Sequence, residues 1–126
     1  MLSETKNSIL LAEWLPRIDS PECQDAFRYL IGLAACLPNL ACYPQLKGEV
    51  QDFRFFSENG EQRYAFIVNK QWLLFYFRLP TVRSGRHHLP DLRKAFDSVN
   101  VNAKGEWTVK LRSIDDVRRL WEIISA

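Results

Sequence analysis

The sequence offers little that could tie a small fold together from outside. It has three cysteines, Cys23, Cys36 and Cys42. An odd count with no C-x-x-C pair excludes a disulfide framework and argues against a zinc site. A reducing compartment is the expectation, with the thiols serving as small buried hydrophobes on or beside the second helix. The N-terminus lacks the basic-then-apolar order of a signal peptide, and Glu13 interrupts the apolar stretch from Ile9 to Leu15. Every other apolar run falls well short of the ~20 residues that span a bilayer. The expected location is the cytoplasm, with no membrane anchor.

Motifs of chemistry are also missing. There is no G-x-S-x-G, H-E-x-x-H, Walker A loop or G-x-G-x-x-G, and no carboxylate pair tied to a nucleophile. The two histidines, His87 and His88, are adjacent. On an extended segment neighbouring side chains point to opposite sides, so they do not form a shared metal site. No metal and no cofactor is expected. An enzyme would need His87 or His88 in a pocket beside a carboxylate or a cysteine, and a surface histidine pair is the plainer expectation. Repeats, low-complexity tracts and linkers are absent too, so residues 1–126 read as one domain.

What is present is the composition of a packed domain: 47% hydrophobic and 25% charged over 126 residues. A chain of this length buries roughly two-thirds of the surface its unfolded form exposes. The net charge of +2 conceals a split. Residues 1–62 hold 5 basic and 9 acidic side chains, while residues 63–126 hold 12 and 6. The C-terminal half therefore either faces something anionic or attracts the N-terminal half across the fold.

Periodicity gives the order helix, helix, three strands, helix, strand, helix. This is an α+β domain with two N-terminal helices, a three-stranded antiparallel meander, a short helix, a fourth strand and a C-terminal helix packed on the sheet. The first helix runs from about Glu4 to Leu15 and ends before Pro16. Ser20 caps the second, Pro21 occupies its first position, and Phe27, Leu30, Ile31, Ala34 and Leu37 form its stripe up to Pro38. Asn39 to Gly48 reads as a loop. Val50 to Ser57, Gln62 to Val68 and Gln71 to Leu79 read as strands, joined by two-residue turns at Asn59-Gly60 and Asn69-Lys70. Those turns pair Phe55 with Tyr64, Phe53 with Phe66, Phe56 with Arg63, Phe66 with Leu73 and Tyr64 with Phe75. One face then collects Phe53, Phe55, Tyr64, Phe66, Leu73, Phe75 and Phe77 as the core side. Pro80 to His88 is turn-rich, and a short helix begins near Pro90 with Leu89, Leu92, Ala95 and Phe96. Glu106 to Arg112 alternates as a strand, with Trp107, Val109 and Leu111 on one side. Ser113 and Asp116 open the last helix, whose stripe is Ile114, Val117, Leu120, Trp121 and Ile124.

The opposite sheet face collects Arg54, Phe56, Arg63, Ala65, Ile67, Trp72, Leu74, Tyr76 and Arg78, joined by Lys110 and Arg112. Flat rings beside cations suit stacked bases and phosphates, at about 1–3 kcal/mol per stacked base. The plainer alternative is that a helix covers this face and the arginines reach out at its rim. A homodimer through the same face is a third arrangement. A second basic cluster, Arg83, Arg86, His87, His88, Arg93 and Lys94, leads into a helix start, where free N–H groups favour anions. Its plainer reading is an exposed loop with solvated charges. The sequence thus points to a non-enzymatic binding domain for an anionic macromolecule, nucleic acid first, with an acidic protein as the alternative partner. Trp72, Tyr76 and Phe56 would supply apolar contact, and the basic residues would supply the charge.

Overall fold

The structure, a computed structural model, describes residues 11–37, 39–44 and 52–125. Most of the expected first helix lies outside that range. Residues 11–14 are helical, and a 3-10 turn at Leu15–Arg17 carries Pro16 within it. The next helix, α1, is Pro21–Ala35. Ser20 accepts the Cys23 N–H at 3.3 Å, and Gln24 donates its side-chain amide to the Ile18 carbonyl at 2.8 Å, tying the incoming chain to the helix start. Cys23, Ala26, Phe27, Leu30 and Ala34 are buried on one side. Ile31 and Leu37 sit at the core's edge, and Pro38 lies outside the described residues.

The stretch expected as a loop is in part a strand. Leu40–Pro44 forms β1, antiparallel to β2, Asp52–Ser57. Pro44 does not forbid this, because β1 is a sheet edge and proline is tolerated at a strand end there. Residues 45–48 of that expected loop lie outside the described residues. With β3 (Gln62–Val68), β4 (Leu73–Phe77), β5 (Asn100–Val101) and β6 (Trp107–Leu111), the sheet has, among the described residues, six antiparallel strands in the order β1-β2-β3-β4-β6-β5. Six strands replace the expected four. The two extra ones are a proline-ended edge and a two-residue strand too short to show a period.

Both predicted turns are displaced. Ser57 and Glu61 close the first hairpin around Glu58-Asn59-Gly60: the Gly60 N–H reaches the Ser57 carbonyl and the Ser57 N–H the Glu61 carbonyl, each at 2.9 Å. Gly60 has φ 83°. This is the three-residue loop in which a turn is followed by a left-handed residue, not a type I′ turn. Phe53 and Phe55 pair with Phe66 and Tyr64 as expected, but a bulge after Phe55 pairs Phe56 with Gln62 rather than Arg63. In the second hairpin the Asn69 N–H bonds the Trp72 carbonyl at 3.0 Å, so the turn is Lys70-Gln71. Phe66 therefore faces Phe75 and Tyr64 faces Phe77, two residues from the expected partners. An even displacement leaves the side chains that pair between β3 and β4 on their predicted faces.

The segment from Pro80 is not an open turn. Leu79–Ser84 forms a helix, α2, with proline in its first turn and Gly85 at φ 71° ending it. The short helix α3 comes next as predicted, Leu89–Ala95. The last helix, α4, spans Ile114–Ser125. Ser113 accepts the Asp116 N–H at 3.3 Å, while Asp116 returns a bond to the Arg112 N–H at 2.8 Å, one residue earlier than a capping box prescribes.

Phe53, Phe55, Tyr64, Phe66, Leu73, Phe75 and Phe77 are each 2% exposed or less, which makes the predicted core face the core face of the protein. Trp107, Val109 and Leu111 continue it. Helices α1, α3 and α4 bury side chains into the same cluster, and α4 packs against α1. The result is one two-layer α+β domain. Among the described residues no helix is long and apolar enough to cross a membrane.

Candidate functional site

Strand pairing lays out the other sheet face as rows. Asp52, Ile67, Leu74 and Lys110 form one row, and Arg54, Ala65, Tyr76 and Thr108 the next. Arg78 follows Tyr76 along the chain direction, with Glu106 beside it, and Trp72 with Arg112 closes the opposite end. Arg54, Ile67, Trp72, Leu74, Tyr76, Arg78 and Lys110 are all half-buried, whereas Ala65 lies buried between its larger neighbours Arg54 and Tyr76. None of the described helices that pack into the core covers this face. The sheet therefore presents a surface with an apolar centre, Ile67, Leu74 and Tyr76.

The cations around that centre are held. Arg54 donates from Nε to Asp52 at 3.0 Å, and Arg78 pairs from Nε with Glu106. Glu106 is buried, and its other oxygen accepts the Asn102 amide at 3.1 Å. The Lys110 ammonium lies 4.5 Å above the Trp72 ring, and the Arg112 guanidinium lies 5.9 Å from it. Asp52 is only 7% exposed, and its Oδ1 has no hydrogen-bond partner. Burial, with Glu106 and Asp52 nearby, pushes the Tyr76 phenol up from its ordinary value, so it stays a neutral donor. Asp52, Arg54, Ile67, Tyr76 and Arg78 line a depression of about 440 Å³, walled on one side by the β5–β6 turn at Asn102 to Glu106. That turn repeats the Ser57–Glu61 loop: Gly105 has φ 88° and Asn102 Oδ1 accepts the Lys104 and Glu106 N–H groups at 3.0 and 2.9 Å.

Of the residues singled out by sequence, the structure thus gathers Arg54, Trp72, Tyr76, Arg78, Lys110 and Arg112 on one surface. Phe56 sits half-buried at the bulge. Arg63 and Arg86 line a separate pocket of about 190 Å³ with Tyr64, Thr81 and Ser84. Of the second basic cluster, His87 is buried, whereas Arg83, Arg86, His88, Arg93 and Lys94 are exposed. Two participants were missed, Asp52 and Glu106. Asp52 was legible, since residues two apart on a strand share a face. Glu106 meets Arg78 only through the pairing of β4 with β6, which no local pattern announces.

His87 is not a surface residue. It is 9% exposed, its Nε2 lies 2.8 Å from the Tyr64 hydroxyl, and its ring packs edge-on against Phe77. Its neighbour His88 points into solvent, as alternation along an extended segment requires. Burial first, then the charges of Arg86 and His88, lower the His87 pKa from its ordinary 6.5. The unfolded chain then binds a proton near pH 6.5 that the folded chain refuses. Stability is full above that pH and falls as pH drops below it. We expect urea midpoints measured from pH 7.5 to 5 to fall less steeply for His87→Gln than for the parent. Equal slopes would show that His87 titrates as freely folded as unfolded.

The cysteines divide. Burial raises the Cys23 thiol to about 11 and the Cys42 thiol to about 12, so both are inert, but Cys36 is exposed at the end of α1, contrary to the expectation of three buried thiols. Among the described residues no three His, Cys, Asp or Glu side chains converge as metal ligands would. Each ion pair among them joins two residues of the same half of the chain. The opposite charges of the two halves are therefore not spent on one another in those pairs.

No protein family, curated protein or solved structure matches this chain.

Proposed function

We propose that the chain is a binding domain that grips another macromolecule through the open face of its sheet, and that the partner is a protein presenting acidic groups around an apolar patch. The observation that carries this reading is the pairing of Arg54 with Asp52 and Arg78 with Glu106 around Ile67, Leu74 and Tyr76. An apolar centre ringed by held polar groups is the anatomy of a protein interface, and Trp, Tyr and Arg are the side chains enriched at its hot spots. Two carboxylates within the same surface offset two of its four cations, so the apolar centre rather than charge carries most of the contact, which suits a protein surface better than a phosphate backbone.

One observation favours nucleic acid as a second reading. Lys110 and Arg112 gather at Trp72, which joins cations to a flat ring at one end of the face. The test is capture from nuclease-treated lysate with the parent and with Leu74→Glu, alongside mobility shifts with single- and double-stranded DNA and RNA at low salt. A nuclease-resistant protein partner lost with Leu74→Glu supports the first reading. Salt-sensitive oligonucleotide binding lost with Trp72→Ala supports the second. Partners that bind both variants as they bind the parent overturn the open face as the contact surface.

A further inference from the structure

The pocket beside Tyr64 differs in character from the open sheet face, and its chemistry is independent of how that face is used. It forms where β3, α2 and the segment after Gly85 meet, and its volume of about 190 Å³ equals that of roughly six water molecules. Its walls are fixed by their own bonds. The Thr81 hydroxyl donates to the Arg63 carbonyl at 2.7 Å and the Ser84 hydroxyl to the Thr81 carbonyl at 2.6 Å. Ser84 Oγ in turn accepts the Arg86 N–H at 3.2 Å, and one arm of the Arg86 guanidinium donates to the Ile124 carbonyl at 3.1 Å at the end of α4. Arg86 is thus anchored through both its backbone and its side chain. Arg63 reaches the pocket from β3.

Neither guanidinium has a carboxylate partner among the described residues, yet both charges act on the buried Tyr64 phenol, opposing the rise that burial causes. Two like charges beside one small concavity favour an anion there. Glu61 stands on the same wall. One of its oxygens accepts the Asn59 amide at 2.6 Å, leaving the other free to accept a proton from a ligand. We propose that this pocket binds inorganic phosphate, gripped by Arg63 and Arg86 and recognised through its own acidic proton by Glu61.

The chemistry separates phosphate from other anions. Near neutral pH phosphate carries a proton it can donate to Glu61, whereas sulfate carries none and meets the carboxylate as a like charge. Guanidinium forks match the oxygens of either ion, so the arginines supply affinity and Glu61 the discrimination.

The test uses the full chain and inorganic phosphate, monitored by amide chemical shifts. We expect saturable shifts confined to residues 61–64 and 80–87, with sulfate weaker than phosphate. Arg63→Gln and Arg86→Gln should each weaken binding about tenfold or more, the loss expected for a charged hydrogen bond. Glu61→Gln should narrow the gap between phosphate and sulfate. Arg86→Gln also removes the bond to Ile124, so if that variant does not fold, Arg63→Gln decides alone. Phenyl phosphate, which has largely lost its second proton at neutral pH, should bind more weakly than phosphate, as sulfate does, and equal binding of the two would overturn the role of Glu61. Shifts that never saturate, that spread over the basic surface, or that persist unchanged in Arg63→Gln overturn the site.

Discussion

Phe66→Ala should cost about 3–5 kcal/mol, the range for removing a fully buried aromatic ring. Phe66 is 0% exposed and sits in the middle of the sheet. Its ring is stacked 4.9 Å from Phe53 at 14° and 6.5 Å from Phe75 at 11°, and Phe27 of α1 meets it edge-on at 6.4 Å. Removing it leaves a void that three strands and a helix share. Aromatic pairs add about 0.5–1.5 kcal/mol each beyond their buried area, so the variant loses the stack as well as the volume. A domain of this size has a total stability of about 5–15 kcal/mol, and the variant should sit close to the threshold of folding. Urea unfolding by tryptophan fluorescence measures it. A midpoint within error of the parent would mean that the strand pairing around Phe66 is wrong, whereas Phe66→Leu, which keeps most of the volume, should fall between the two.

Trp72→Ala and Leu74→Glu should do the opposite: leave the fold standing and remove the partner. Both side chains are half-buried on the open face and neither belongs to the core cluster. Trp72 carries the cation contacts of Lys110 and Arg112, and Leu74 lies directly beside Lys110 in the adjacent strand. Truncating an interface anchor of this type costs about 2 kcal/mol or more, about thirtyfold in affinity. Leu74→Glu should cost more, since it places a charge in the apolar centre against an acidic partner. Titration calorimetry with the captured partner reads the affinity, and the urea midpoint reads the fold. If both variants kept parental affinity, the contact surface would lie elsewhere on the basic half. If both lost stability as Phe66→Ala does, the face would be core.

The division of the sheet into a core side and an open side was legible because strand alternation is insensitive to errors of two residues. The second turn was misplaced by one position, from Asn69-Lys70 to Lys70-Gln71, and each partner moved by two while the side chains that pair between β3 and β4 kept their faces. The helix caps at Ser20 and Ser113 were legible for a local reason: a serine placed just before a helical stripe has its acceptor within reach of the free N–H groups three residues on. The features that escaped the sequence came from distant pairing. β1 borrows its ladder from β2, and nothing in Leu40 to Pro44 alone resists the loop reading. His87 looked like half of a surface pair, and only the return of the chain beside Tyr64 buries it. The site was half legible: its cations and rings were found by type, but the acids that hold two of the arginines were not, so their freedom was overestimated.

The shortness of β5 has a consequence for how copies of this protein coexist in solution. Asn100 and Val101 pair only with Thr108 and Trp107, so among the described residues no strand pairs with the outer border of β6 from Val109 to Leu111. An unpaired sheet border is in general a template for a foreign strand, and Val101 beside it is the exposed large apolar side chain of the described surface. Lys110 lies in that stretch and Arg112 directly succeeds it. Two copies aligned border to border would bring four cations together, which opposes stacking into filaments. The same two residues that meet Trp72 on the face would thus also repel one another across such a border.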